Sequence, residues 1–124
     1  MFYVGTDLVE IERVRQATLR RPALWDRLLT RQEREYCHKK GNPVQSLAGR
    51  FAAKEAVLKC LGLGLRYCSW HDLEILPDAL GNPQVSFGPS LLKVLQEKKI
   101  ATVKVSISHS RDYALAVAIG ECSR

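Results

Sequence analysis

The chain has 124 residues, of which 46% are hydrophobic and 26% are charged, and 19 Lys and Arg against 13 Asp and Glu give a net charge of +6 at pH 7. A chain of this length buries roughly two-thirds of the surface that it exposes when unfolded, so we predict one domain over residues 1–124 that needs neither disulfides nor a structural metal. No apolar run approaches the roughly 20 residues of a membrane span, and the four cysteines form no Cys-x-x-Cys pair, which argues against a membrane or secreted disulfide-rich protein and favours the cytoplasm.

The N-terminal third of the sequence predicts one strand followed by three helices. Pro22 cannot extend a helix internally and Thr30-x-x-Glu33 is a capping box, so the helical region divides into separate segments. The predicted elements are a strand over 3–9 and helices over 10–20, 22–29 and 31–39. Residues 10–40 hold nine Arg or Lys against five acids, and this excess predicts an acidic partner. A basic face that is only solvated is the alternative.

The best-defined helix lies in the middle of the chain. Asn42 is a preferred N-cap, Pro43 suits the first helical position and Gly62 suits the position just past the end, which together predict a helix over 43–61. Beyond it, the pattern predicts a hairpin of strands 69–76 and 84–87 around a turn at 78–83, a helix over 89–99, and alternating strands over 102–108 and 113–119 joined by a turn at 109–112.

The last predicted strand carries small residues on one face, with alanines at 114, 116 and 118. This row leaves room for a helix or another subunit close to the sheet. We therefore predict an α+β fold in which an antiparallel sheet packs on one long central helix, with shorter helices near the N-terminus.

Two isolated carboxylates stand out. Asp7 interrupts an apolar strand, where an unpaired charge costs several kcal/mol unless it meets a cation or a metal; a carboxylate at the start of the first helix is the alternative. On the central helix, Arg50 and Lys54 lie four apart, and Glu55 and Lys59 share the adjacent face. A plain surface ion pair between Glu55 and Lys59 is the alternative. Two carboxylates among dispersed cations suit one Mg²⁺ and a phosphate ligand, which indicates phosphoryl-group chemistry.

Two further motifs carry weaker signals. Gly62-x-Gly64 could let backbone amides approach a phosphate, although Gly62 is already explained as a helix stop. His109 ends a strand in Ser106-Ile-Ser-His109-Ser110, but the sequence offers no Gly-x-Ser-x-Gly elbow, which argues against a serine hydrolase. A small basic nucleic-acid-binding module is the main rival class. It explains less, because it has no use for the two carboxylates and because the aromatic residues are scattered.

Taken in order, these motifs resemble holo-acyl carrier protein synthase, the short bacterial class of 4'-phosphopantetheinyl transferases. The resemblance rests on Gly5-Thr6-Asp7, Phe51-Ala-Ala-Lys54-Glu55-Ala, Gly62-x-Gly64 and Ser106-Ile-Ser-His109-Ser110. It implies the fold of that family and transfer of phosphopantetheine from coenzyme A to a serine of apo acyl carrier protein, with release of adenosine 3',5'-bisphosphate. It also implies a homotrimer with active sites between subunits, and neither a membrane nor a nucleic acid as partner.

The resemblance also assigns roles to individual residues. Asp7 and Glu55 match the Mg²⁺ ligands, and Glu55, Lys59 and His109 the catalytic positions. The residues implied to bind coenzyme A are Asp7, Arg50, Lys54, Lys59, Gly62, Gly64, Ser108 and His109, and those implied to dock an acidic carrier protein are Arg13, Arg20 and Arg27. The general base stays open between a water and a side chain such as Glu55. Tyr3 and Leu63 depart from the family pattern, which puts strand detail and one hydroxyl contact in doubt.

Overall fold

The elements follow the predicted order of strand, helices, hairpin, helix and two strands. The computed structural model describes residues 1–64 and 69–123. Its elements are β1 Phe2–Glu10, α1 Ile11–Arg20, α2 Leu24–Leu28, α3 Arg31–Lys39, α4 Pro43–Cys60, a 3₁₀ turn Trp70–Asp72, β2 Leu73–Pro77, β3 Pro83–Phe87, α5 Pro89–Glu97, β4 Ile100–His109 and β5 Tyr113–Cys122.

Local capping sets the ends of the two helices that flank residue 40. The predicted capping box forms at the start of α3, where the Thr30 side chain accepts from the Glu33 amide and the Glu33 carboxylate accepts from the Thr30 amide. Asn42 caps α4 through its side chain, with proline at the first position. At the other end, Gly62 takes a φ of +71°, and its amide and that of Leu63 donate back to carbonyls of the last turn. The prediction for the central helix is confirmed.

The larger sheet has three antiparallel strands in the order β1-β5-β4. Asp7 lies opposite Ala116, which in turn lies opposite Ile107 on β4. Strands β2 and β3 form the predicted hairpin as a separate two-stranded sheet. The sheet therefore joins the first strand of the chain to the last two, and the predicted α+β class is confirmed.

Helix α4 lies directly against the inner face of this sheet. Eleven of its 18 residues are buried, which makes it the scaffold of the molecule. The alanines of β5 are fully buried against it. At Gly5 the approach is so close that an added Cβ would overlap the Ala56 carbonyl oxygen and lie 2.6 Å from the Cys60 amide nitrogen. Small residues thus fix the spacing of strand and helix.

The outer face of the same sheet is apolar and exposed. Side chains on β1 and β5 alternate between the buried inner face and this outer face. The exposed apolar side chains are Phe2, Val4, Leu8, Tyr113, Leu115 and Ile119. Phe2 exposes 64% of its surface and Leu8 61%. Monomeric proteins rarely leave a contiguous apolar surface of this kind open to water. Within the residues that the structure describes, no helix combines the length and hydrophobicity of a bilayer-spanning segment.

The predicted strand over 69–76 is wrong in its first half. Residues 70–72 form the 3₁₀ turn, because the Ser69 side chain accepts from the His71 amide and the Asp72 carboxylate accepts from the Ser69 amide. This reciprocal capping satisfies the turn locally, so the strand begins only at Leu73. Helix α2 is also shorter than its predicted span, since it begins at Leu24.

Candidate active site

Strand β1 holds Asp7 on its inner face, where the side chain is 17% exposed. The carboxylate Oδ1 accepts a hydrogen bond from Lys59 Nζ at 3.1 Å, and the same ammonium donates to the Thr6 carbonyl at 3.0 Å. Helix α1 begins only at Ile11, with Glu10 as its N-cap. The alternative that Asp7 serves the start of the first helix is therefore wrong, and its partner is a lysine from the central helix.

Helix α4 brings Glu55 to the same place. Burial and the Asp7 carboxylate together raise the pKa of Glu55, and the Lys59 ammonium opposes that shift. The ion pair of Lys59 is with Asp7, so the alternative of a plain pair between Glu55 and Lys59 is also wrong. Two carboxylates from separate elements thus repel each other beside one ammonium, an arrangement that a divalent cation would stabilise.

The donor set fits magnesium. In the part of the chain that the structure describes, no cluster of three or more His, Cys, Asp or Glu could hold a metal. Zinc in a structural site needs four such ligands, whereas Mg²⁺ takes one or two carboxylates and completes its shell with water and phosphate oxygens. Asp7 and Glu55 match the second pattern. Lys59, which is 53% exposed, has room to reach a phosphate instead of Asp7.

A cavity of about 660 Å³ opens beside the two carboxylates. Asp7 and Glu55 line it together with Arg13, while helices α1, α2 and α4 supply most of its wall. The apolar side chains of that wall include Val14, Ala17, Leu24, Leu28 and Phe51. The cavity therefore offers an apolar surface that ends at a charged centre, which suits a substrate with both characters.

A second cluster of polar groups forms around His109, at the end of β4. The ring packs against the backbone of α4, so that a Cβ at Gly49 would lie 2.6 Å from His109 Nε2. Burial and the neighbouring Arg50 guanidinium lower the pKa of His109, against a backbone hydrogen bond to Gln45 that raises it. The neutral imidazole is therefore favoured.

Arg50 is buried without an anionic partner among the described residues. It is 6% exposed, and its guanidinium lies 4.4 Å from the centroid of the Tyr36 ring. Within the described part of the chain, Arg50 Nε has no hydrogen-bond partner. A buried cation that lacks an anion is costly, so Arg50 and His109 together are suited to receive one.

The two clusters are separate within one chain. Asp7 is on β1 and His109 is on β4, and β5 lies between these strands. Two strand spacings amount to about 10 Å. Ser108 is exposed, and because neighbouring residues of a strand face opposite sides, it does not share the face of His109. Ser108 therefore lies apart from the His109 cluster within one subunit, and its contact with coenzyme A stays a prediction.

Lys54 does not face the ligand side of α4. Its side chain is fully buried, and its ammonium donates to Glu33 Oε1 at 2.7 Å and to the carbonyls of Leu28 and Trp70. All three N–H groups are therefore used inside the protein. This corrects the prediction that Lys54 binds the cofactor beside Arg50. Glu33, its partner, was recognised from the sequence only as a capping residue.

The glycine turn after α4 is also partly used by the fold. The Gly62 amide donates to the Lys59 carbonyl, and the Leu63 amide donates to the Leu58 carbonyl, which closes the helix. The predicted phosphate contact through the Gly62 amide is therefore wrong. Gly64 lies exposed beyond this closure and is still compatible with the prediction.

The predicted docking arginines are all exposed. Arg13 and Arg20 lie on α1, seven residues apart, which places them roughly two turns apart along one side of the helix. Arg27 lies in the last turn of α2. Arg13 lines the cavity that holds Asp7 and Glu55. A positive surface thus borders the entrance to the carboxylate pair.

Comparison with known proteins gives one consistent family. Residues 3–118 match the sequence profile of the 4'-phosphopantetheinyl transferase superfamily. The holo-[acyl-carrier-protein] synthase of Caldanaerobacter subterraneus subsp. tengcongensis is 45% identical over 117 residues, which cover 94% of this chain and 92% of that protein.

Solved structures agree with the sequence match. The holo-[acyl-carrier-protein] synthase from Neisseria meningitidis superposes with a TM-score of 0.89 at 39% identity, over 96% of this chain and 97% of that one. The enzyme from Bacillus anthracis, solved in complex with CoA (3',5'-ADP), gives a TM-score of 0.81 at 30% identity, over 98% of this chain and 96% of that one. The resemblance seen in the sequence is confirmed across nearly the whole length.

Proposed function

Because the chain belongs to the 4'-phosphopantetheinyl transferase superfamily, and within it to the holo-[acyl-carrier-protein] synthases, we propose that it transfers 4'-phosphopantetheine from coenzyme A to a serine of apo acyl carrier protein. The reaction depends on Mg²⁺ and releases adenosine 3',5'-bisphosphate. The observation that carries the proposal is the meeting of Asp7 and Glu55 beside Lys59, since these are the groups that hold a hard cation and a phosphate. Residues 1–124 act as one catalytic domain, supported by a core that draws on α4, α5 and strands of both sheets.

The carboxylate pair has the central role. Asp7 and Glu55 would hold Mg²⁺, which when bound neutralises charge on the coenzyme A pyrophosphate as the bond to the leaving phosphate breaks. Lys59 binds a phosphate oxygen from the exposed side of α4. The base that takes the serine proton is either an ordered water or a nearby side chain such as Glu55.

The cluster at His109 serves the same donor substrate. Arg50 and His109 bind a phosphate group of coenzyme A, and Gly64 lies close to the ligand chain. The buried guanidinium that lacks an anionic partner among the described residues supports this role. A phosphate there would receive a charged hydrogen bond from Arg50 and a second hydrogen bond from the imidazole.

We propose a homotrimer with the active site between subunits. Two observations support it: the outer face of the three-stranded sheet is apolar and exposed, and about 10 Å of sheet separates the two clusters within one chain. In this assembly, His109 of one subunit would serve the carboxylate pair of another. Leu8→Lys, which places a charge in the apolar face, should give monomers in light-scattering measurements, whereas Leu80→Lys on the exposed hairpin turn should leave the trimer unchanged. A trimer that persists in Leu8→Lys contradicts this interface.

The acceptor is an acidic acyl carrier protein rather than a nucleic acid. The net charge of +6 and the exposed arginines of α1 and α2 support this partner. They border the cavity that ends at Asp7 and Glu55, so a docked carrier would direct its serine toward the reacting phosphate. Cytoplasmic function is proposed with it, supported by the free thiols of Cys37, Cys60 and Cys122.

Intact-mass spectrometry tests the activity directly. An apo carrier protein incubated with the chain, coenzyme A and Mg²⁺ should gain the mass of one phosphopantetheine, and chelation of the metal should abolish the gain. The unreacted carrier in the absence of coenzyme A is the control. A carrier whose mass stays unchanged at saturating coenzyme A and Mg²⁺ contradicts the proposal.

A further inference from the structure

The buried ion pair between Lys54 and Glu33 lies outside the chemistry described above. Both side chains are fully buried, and Nζ lies 2.7 Å from Oε1. The carboxylate also accepts from the amides of Thr30 and Ile75, so it is held on both oxygens. Apolar side chains of similar volume often stabilise a core as well as a buried ion pair does, which leaves stability as a weak account of this pair.

The ammonium connects three segments that are distant in sequence. Lys54 Nζ donates to Glu33 on α3, to the Leu28 carbonyl at the end of α2 at 2.9 Å and to the Trp70 carbonyl in the 3₁₀ turn at 3.0 Å. The Trp70 ring also packs on Phe51 of α4, with centroids 5.4 Å apart. A single side chain of the central helix thereby holds the surrounding short segments.

Helix α2 is a short segment with few buried contacts of its own. It is only five residues long, and none of those residues is buried. Its other polar contacts run from Arg34 Nε to the Asp26 carboxylate at 3.2 Å and from His71 Nε2 to the Asp26 carbonyl at 2.6 Å. Trp25 and Leu28 are partly buried against the cluster of Leu29, Cys37 and Leu47, so the polar bonds add to a modest apolar contact in fixing the position of α2.

Helix α2 nevertheless forms part of the cavity beside the two carboxylates. Leu24 and Leu28 line that cavity together with Asp7 and Glu55. The carbonyl that Lys54 holds belongs to Leu28, one of these lining residues. A shift of α2 would therefore change the shape of the cavity without moving the carboxylates, which β1 and α4 hold.

We propose that Lys54 and Glu33 are positioning residues that fix α2 and so shape the cavity in which the carrier protein docks, next to the Asp7 and Glu55 pair. This inference rests on the proposed function, because it assigns the cavity to the carrier. Lys54 touches no substrate in this role. It acts through the Leu28 carbonyl and through Glu33.

The test uses the double variant Lys54→Met with Glu33→Gln. Removing both charges avoids an unpaired buried charge while the hold on Leu28 is lost. Because Glu33→Gln offers one acceptor oxygen where the carboxylate served the Thr30 and Ile75 amides with two, some loss of stability is also expected, and the kinetic constants are measured well below the Tm of the variant. We expect the KM for the carrier protein to rise about tenfold, as for a lost docking contact, and kcat and the KM for coenzyme A to stay within about twofold. Lys93→Met, the same change at an exposed lysine, is the matched control and should leave all three constants unchanged.

Hydrogen exchange separates local opening of α2 from a loss of global stability. In the double variant, amides of residues 24–28 should exchange at least about tenfold faster, while amides of β5 keep their protection. Should the double variant not fold, Lys54→Arg replaces it, because a guanidinium keeps the charge but not the compact geometry of the three donors. The same rise in carrier KM is expected from it.

The outcomes separate the two proposals. A wild-type chain that leaves the carrier mass unchanged refutes the proposed function, and the exchange experiment on α2 still decides the positioning role. If the wild-type chain is active and the double variant keeps the wild-type KM for the carrier protein, the proposed function stands and the positioning role is overturned. A fall in coenzyme A affinity with native exchange of α2 overturns it too, since Lys54 would then act on the donor substrate.

Discussion

Replacing Gly5 with alanine tests whether the contact between β1 and α4 holds the two carboxylates together. An added Cβ would overlap the Ala56 carbonyl oxygen and lie 2.6 Å from the Cys60 amide nitrogen. Both are backbone atoms and cannot rotate away, so strand and helix must separate. Asp7 lies two residues further along the same face of β1, and Glu55 precedes Ala56. The separation therefore acts directly on the proposed metal site.

The size of the effect follows from the contact distance. An ordinary non-bonded contact needs about 3.5 Å, so the contact with the Cys60 amide alone requires a movement of about 1 Å between α4 and β1, and the overlap with the Ala56 carbonyl oxygen requires more. Overpacking of this kind costs roughly 1–3 kcal/mol, because the close-packed interior cannot absorb a methyl group without strain. For a chain of this size, that cost lowers the Tm by about 4–12 °C. A displacement of about 1 Å at a reacting centre lowers kcat by about 100-fold.

The assay combines mass spectrometry of the carrier product with thermal unfolding. Gly5→Ala should lose about 100-fold in kcat at saturating coenzyme A, measured well below its Tm so that the folded enzyme is compared. Gly41→Ala is the matched control, since an added Cβ there has no neighbouring atom within 4 Å, and it should keep the native rate. If Gly5→Ala keeps both the native kcat and the native Tm, the contact does not set the carboxylate spacing.

Three further predictions address individual charges. Asp7→Asn and Glu55→Gln should each abolish transfer with little change in Tm; full product formation by both at low Mg²⁺ would contradict the metal assignment. Arg13→Ala with Arg20→Ala should weaken carrier binding at low salt and have less effect at high salt, and calorimetry that shows the same affinity at low salt removes these arginines from the docking surface. Burial lowers the pKa of His109 in the folded protein, so the unfolded chain binds more protons than the folded one as the pH falls. The contribution of His109 to the free energy of unfolding is therefore full above about pH 6.5 and is lost as the pH drops through the pKa of the folded state. His109→Gln should lose this part of the slope in urea unfolding between about pH 7 and pH 5, and equal slopes would refute it.

The helix boundaries were predictable because their signals are local. Thr30 and Glu33 bond each other across one turn, and Asn42 caps the helix that immediately follows it. Gly62 takes the left-handed conformation that a residue without Cβ adopts at low cost. Each of these features depends on a few neighbouring residues, so it can be read from one segment of the chain.

The role of Lys54 was not predictable in the same way. Spacing along a helix shows which residues lie on one side, but not which side meets the core. Helix α4 is buried around most of its circumference, so its cations cannot be sorted by a polar face and an apolar face. The partner of Lys54 lies 21 residues earlier, and the Ile75 amide that completes Glu33 lies 42 residues later. Only the tertiary fold brings them together.

The 3₁₀ turn shows a local signal that the strand pattern hid. Ser69 and Asp72 stand in the same relation as Thr30 and Glu33, and they form the same reciprocal bonds. The aromatic and apolar residues that follow Ser69 suit a strand equally well. The reciprocal hydrogen bonds between Ser69 and Asp72 outweigh the β propensity of these residues, so the segment forms a turn.

The strand order also governs when the proposed metal site can form during synthesis. Asp7 lies on an edge strand whose hydrogen-bonded neighbour is β5, with Phe2 opposite Glu121. More than a hundred residues must therefore be translated before the nascent chain can complete this pairing. Pairings of such long sequence separation slow folding and leave the apolar surface of the central helix uncovered meanwhile. The same topology that holds the two carboxylates thus makes the pairing of β1 with β5 one of the later steps that the growing polypeptide can complete.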